Sequence, residues 1–255
     1  GTNFGKTFGV FEKAKFSGAV SETSIFDPVL CEIMYRWFSP ERECKILDPF
    51  AGGSVRGVVA VATGRQYTGI DLSERQIEAN KQNFAEIKTK FNFDTPTWIC
   101  GDSNKIDELV SGEFDFIFSC PPYFNLEVYS DKAEDISAAK TYEDFLSAYK
   151  SIIKKSCDKL KENRFTAFVV SEVRGNDGAF VGFVPDTVKA FTEAGLKFYN
   201  EAVLLQNLST APIRVGKQFN NSRKIVRVHQ NVLIFYKGDL GKINDNFGSY
   251  FKEVL

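Results

Sequence analysis

Residues 114–120 run Phe-Asp-Phe-Ile-Phe-Ser-Cys, an almost unbroken apolar stretch that Pro121 and Pro122 close. An apolar run of this length bounded by turn formers predicts a strand buried on both faces. Neither proline can donate to a ladder and each biases its predecessor away from helix, so the strand ends at Cys120. Further runs at 45–48, 66–72, 97–100, 165–170, 198–205 and 230–236 predict six more strands. Between them the apolar period lengthens to three or four. Asp27 caps a helix with Pro28 in its first turn and a Leu30, Ile33, Met34, Trp37 stripe, stopped by Ser39-Pro40. A second helix runs from about Ser54 to Thr63 and closes at Gly64. Ser73 with Gln76 forms a capping box for a third, whose Ile77, Phe84, Ile87 and Phe91 share a face. Thr141 with Asp144 caps a fourth, striped by Tyr142, Phe145, Leu146, Tyr149, Ile152, Ile153 and Leu160. Pro185–Ala194 is a fifth, ended by Gly195. The alternation predicts an α/β fold, a doubly wound, mostly parallel seven-stranded sheet over residues 26–238. An aromatic arm (1–25) precedes it and a tail (239–255) follows. Residues 127–135 read as an acidic loop and 172–182 as a glycine-rich loop, a lid or merely a connection.

Composition narrows this picture. With 255 residues, 43% of them hydrophobic, the chain can bury the core of one such domain. A net charge of −1 and a pI near 6.1 require any contact with a polyanion to be local. The five cysteines lie far apart and His229 is the only histidine, which argues against zinc, a disulfide framework or a histidine triad, and predicts no metal. No apolar run reaches membrane-spanning length and no signal-like segment opens the chain, so the expectation is a soluble, cytoplasmic protein without membrane contact.

Chemistry concentrates where strands end. Asp48-Pro-Phe-Ala-Gly-Gly53 leads from strand to helix through glycines, where backbone approaches a ligand closely and a helix N-terminus favours negative charge. Asp71, about twenty residues on, is placed to accept from ribose hydroxyls. Asp102 ends the next strand. Each acid alone could equally cap a turn; their joint placement at successive strand ends is what points to a nucleotide-like pocket. The lip Cys120-Pro121-Pro122-Tyr123 offers carbonyl acceptors beside a flat ring, which suits a planar group bearing an exocyclic amine. From Ala202 to Gly238 there is no acidic residue, yet Arg214, Lys217, Arg223, Lys224, Arg227 and Lys237 are present. Most fall at 207–229, read as a short basic recognition segment in which Asn207, Ser209, Gln218, Asn220 and Asn221 can reach base edges.

Together, Asp48-Pro-Phe-Ala-Gly-Gly53, Asp71, Gly101-Asp102 and Pro121-Pro-Tyr123 resemble the S-adenosylmethionine-dependent DNA amino-methyltransferases that act on adenine N6 or cytosine N4. The run His229–Lys237 is similar to the end of phage-encoded members. The resemblance implies a Rossmann-like class I methyltransferase fold and a DNA-modification role of the restriction-modification kind. It implies S-adenosylmethionine as cofactor, held by Phe26 and Asp27 at the methionine end, by Asp48, Pro49, Phe50, Ala51, Gly52 and Gly53 along the turn, by Asp71 with Leu72 at the ribose, and by Asp102 with Ser103 at the adenine. It further implies a flipped base on Cys120, Pro121, Pro122 and Tyr123, with DNA, single- or double-stranded, gripped by Arg214, Lys217, Arg223, Lys224 and Arg227. The segment is short for a recognition region, which suggests a brief target, a homodimer or a single strand. Cys120 departs from the family, which has Asp, Asn or Ser there, and a thiol accepts weakly. An RNA guanine or protein glutamine methyltransferase, or a non-catalytic nucleic-acid-binding subunit, would share the lip.

Overall fold

The computed structural model describes residues 26–41, 43–124, 135–206 and 211–248, with backbone alone for 211–214. The arm at 1–25, all of the acidic loop but Asp135, Asn207, Ser209, the end of the tail and the Arg214 side chain lie outside the described residues.

Local signals set the helix starts. Asp27 Oδ1 accepts from the amides of Val29 and Leu30 to open α1 (Pro28–Phe38). Strand β1 (Lys45–Asp48) turns into α2 (Val55–Ala62), then β2 (Gln66–Asp71). Ser73 accepts from the Gln76 amide at 3.2 Å to cap α3 (Glu74–Lys88), which leads to β3 (Thr97–Cys100) and a short α4 (Ile106–Leu109) that no apolar stripe announces. The prolines stop β4 (Phe114–Ser119), and Thr141 caps α5 (Tyr142–Lys159). Strand β5 begins at Leu160 rather than Phe165, directly from the helix, and continues to Val170. Leu160 is buried, but as the first residue of a strand instead of the last of a helical stripe. Helix α6 covers Phe183–Glu193, two residues earlier than its Pro185 signal, because proline sits comfortably in a first turn. Strand β6 (Lys197–Leu205), helix α7 (Ala211–Ser222), strand β7 (His229–Lys237) and a short α8 (Ile243–Phe247) complete the chain.

The sheet order is β3-β2-β1-β4-β5-β7-β6. The first five strands are parallel; β7 enters antiparallel between β5 and β6. Strand order therefore reverses between β1 and β4, and the crevice beyond their carboxyl ends is where open α/β sheets take ligands. Side chains on β4 alternate. Phe116 and Phe118 join the core under α1, α2 and α3, while Ile117 faces α5 and α6. Buried Asp115 braces the opposite end of the sheet, accepting from the Lys45 amide at 3.0 Å and pairing with Lys161 at 2.8 Å.

Candidate active site

The turn after β1 is built around one buried ion pair. Asp48 is fully buried and all its acceptor directions are taken by protein. Oδ1 accepts from Ser119 Oγ at 2.6 Å and the Phe50 amide at 3.2 Å; Oδ2 accepts from Arg56 Nε at 2.6 Å and Tyr67 Oη at 2.7 Å. Asp48 thus shapes the pocket from behind. Arg56, one cation in the otherwise apolar helix α2, also donates to the carbonyls of Phe50 at 2.6 Å and Ala51 at 2.9 Å. Burial alone would lower its pKa, but the paired Asp48 carboxylate outweighs that and holds the guanidinium above its ordinary range. Phe26 lies over the same guanidinium, 4.6 Å from ring centroid to cation, with its edge toward Phe118. Asp27 spends its side chain as the α1 cap.

The rest of the turn is equally fixed. The Ala51 amide donates to Ile70 O at 2.9 Å, the Gly52 amide to Asp71 Oδ2 at 2.9 Å, and Asn80 holds the Gly52 carbonyl at 2.7 Å. Ser103 Oγ donates to the Pro49 carbonyl at 2.6 Å, tying β3's end to β1's. Gly52 has φ +50°, which disfavours a side chain there. Behind it, a Cβ on Gly69 would lie 2.8 Å from that of Ala51, so β2 can approach only as glycine. A Cβ on Gly52 or Gly53 would meet nothing within 4 Å. The glycines face open space, and it is bordered by acceptors. Half-buried Asp71 takes one N–H on each oxygen, from Gly52 and Ser73, so each keeps a lone pair. Burial raises its pKa, and those two bonds oppose the shift only in part. Leu72 follows it, and its carbonyl faces the Cys100 thiol at 3.7 Å. Asp102 Oδ1 accepts from the Asn104 amide at 2.8 Å; Oδ2 has no partner among the described residues.

The lip joins this pocket directly. Ser119 Oγ, besides donating to Asp48, accepts from the Phe50 amide at 3.2 Å, which pins the end of β4 to the turn. Pro121 is buried, and none of the described residues donates to its carbonyl. The Tyr123 ring packs edge-on against Phe183 at 6.0 Å, and its hydroxyl accepts from Gln230 Nε2 at 2.8 Å. Burial, then the neighbouring Cys120 thiol, pushes the phenol well above its ordinary range, against the Gln230 bond. Cys120 therefore acts on Tyr123 as a neighbour that disfavours the charged phenolate.

Of the basic residues, Lys217 stands exposed on α7, a helix within the segment read from sequence only as a short basic recognition region, and Arg223 follows it, also exposed. Lys224 and Arg227 gather instead beside the 172–182 segment. Arg56, Asn80, Phe183 and Gln230 were missed from sequence; only Arg56 left a signal, a lone charge among Val and Ala. No His/Cys/Asp/Glu group suited to a metal occurs among the described residues, and no described helix is long and apolar enough to cross a membrane.

No curated protein matches the chain in sequence. Among solved structures it is similar to a methyltransferase from Pyrococcus furiosus (TM-score 0.55, 16% identity, 90% of this chain and 93% of that one). It is similar also to TrmN from Thermus thermophilus (0.54, 15%, 89% and 52%) and to an rRNA methylase from Streptococcus thermophilus (0.53, 13%, 85% and 100%). The chain spans about half the length of the Thermus protein. These similarities establish the class I, Rossmann-like methyltransferase fold expected from the strand pattern. Although the motifs resemble DNA amino-methyltransferases, the family that matches, over residues 29–169 and so more than half of the 255-residue chain, is the one described as Conserved hypothetical protein 95, and the chain belongs to it.

Proposed function

We propose that this chain transfers a methyl group from S-adenosylmethionine to the exocyclic amino group of a DNA base, cytosine N4 or adenine N6. The observation that carries the reading is the Pro121 carbonyl, to which no described residue donates, next to a fixed Tyr123 ring at a strand end bonded to a glycine turn that faces open space. The pocket fits the cofactor because Gly52 and Gly53 leave room and Asp71 and Asp102 keep unspent lone pairs toward it. Asp71 would take the ribose hydroxyls and Asp102 the adenine amine. When bound, the cofactor supplies an electrophilic methyl on a sulfonium.

The chain's own part is positioning. Tyr123 presents its face to an extruded base, and the Pro121 carbonyl accepts one amine N–H, drawing the remaining lone pair out of conjugation and into line. The amine loses a proton on methylation, which passes to solvent; no histidine or paired carboxylate is required. Lys217, Arg223, Lys224 and Arg227 supply local positive charge for phosphates in a chain of net charge −1. The likeness to an rRNA methylase favours a second reading, a base amine in RNA.

Incubation with labelled S-adenosylmethionine and either DNA or RNA, followed by digestion and mass spectrometry, tests both. The proposal expects N4-methylcytosine or N6-methyladenine in DNA. Label only in RNA selects the second reading, and label in neither, with cofactor bound, overturns both.

A further inference from the structure

The segment read only as a glycine-rich loop is a tight hairpin. The Val181 amide donates to Val173 O at 3.0 Å and the Gly175 amide to Ala179 O at 2.9 Å, and the Gly178 amide closes the turn on Gly175 O at 2.9 Å. Arg174 and Phe180 are bridge partners across it, so their side chains share a face. The Arg174 guanidinium lies 3.9 Å from the Phe180 ring centroid, yet Phe180 stays 49% exposed. A second guanidinium, from Arg227, lies 5.9 Å from the same ring. Its Nη2 donates to Asn231 at 2.7 Å, but its Nε is buried with no hydrogen-bond partner among the described residues. Lys224 joins from the same stretch of chain, its Nζ 2.8 Å from where a Gly178 Cβ would stand. The nearest acid of the hairpin, Asp177, uses Oδ1 on the Ala179 amide at 2.9 Å.

Both limbs of this cluster run into the lip. Phe183, three residues beyond Phe180, packs against the Tyr123 ring, and Gln230, three beyond Arg227, bonds its hydroxyl. An aromatic ring stacked with guanidinium and surrounded by cations is complementary to a nucleotide, base on the stack and phosphate on the cations. We infer that Arg174, Phe180, Lys224 and Arg227 form a platform for the nucleotide adjoining the target base in an unpaired strand. The inference rests on the lip being a nucleobase site and adds where the next nucleotide goes.

Fluorescence anisotropy with single-stranded oligothymidine and oligouridine of about eight nucleotides, titrated over salt, tests it. Phe180→Ala should weaken binding roughly tenfold or more with the salt slope unchanged, and Phe180→Trp should restore it. Arg227→Ala should lower the slope by about 0.7. The two probes report whether the platform prefers DNA or RNA. Wild-type affinity in Phe180→Ala, with its thermal midpoint confirming the fold, overturns the inference, and so does failure of the wild-type chain to bind either probe at low salt. Phe180-dependent binding without methylation of any nucleic acid would remove the lip reading and keep the platform. Methylation with Phe180-independent binding would do the reverse.

Discussion

At the scale of single residues, the pocket depends on a charge that never reaches it. Arg56 neutralises Asp48 and holds two turn carbonyls, so Arg56→Met strands a buried carboxylate and should destabilise the fold by about 3–5 kcal/mol in urea titrations. Adding Asp48→Asn should recover part of that loss; a double variant no more stable than the single would mean that the carbonyl bonds, not the pairing, dominate. Asp71→Ala and Asp102→Ala should each weaken S-adenosylmethionine binding by about 1–3 kcal/mol, and unchanged calorimetric affinity in both would sink the pocket assignment. Asp71 also sets a pH dependence. Its folded pKa is raised, so the native state binds more protons than the unfolded one between the ordinary carboxylate value and the raised one. Stability from this group therefore falls as pH rises through that window and stays lower above it, and Asp71→Asn should remove that slope from the urea midpoint.

Elements show which parts of this arrangement could be read in advance. Caps are local chemistry, and Asp27, Ser73 and Thr141 announced α1, α3 and α5 from within four residues. Buried parallel strands read as apolar runs, so β1 to β4 were legible as well, with the acids at the ends of β1 to β3. Helix α7 was not, because Ala-Pro-Ile-Arg-Val-Gly-Lys-Gln-Phe-Asn-Asn-Ser carries Pro212, Gly216 and two asparagines, poor helix formers that mask the spacing of Ile213, Val215 and Phe219. The start of β5 was hidden since no turn former separates it from α5. Partners that fix the lip, Gln230 above all, lie 107 positions from Tyr123, beyond any local pattern. The same geometry ranks variants at the lip. Tyr123→Ala should cut turnover heavily with cofactor affinity intact, whereas Tyr123→Phe keeps the ring and loses only its tether, so its turnover should fall less. Equal losses would make the hydroxyl, rather than the ring face, the working group. Gly69→Ala, which puts a methyl against Ala51 and the Tyr67 ring, should cost about 1–3 kcal/mol and weaken cofactor binding with it.

Over the whole molecule, the sheet divides labour at its switch point, with β1 to β3 ending at the glycine turn and acids, and with β4 and β5 ending and antiparallel β7 beginning at the lip and hairpin. The Ser119 hydroxyl, donating to Asp48, joins the two halves across the reversal. The placement of β7, last of the strands in sequence yet seated between β5 and β6, carries a temporal consequence. The hydrogen bonds that fix the glycine turn are made between Asp48 and Ser119, whereas Gln230 arrives only with the final strand. A chain emerging from the ribosome can therefore close its donor pocket long before its acceptor side exists. In refolding followed by pulsed hydrogen exchange, amides of β1, β2 and the turn should gain protection ahead of those in β7, and simultaneous protection would show one indivisible folding unit instead.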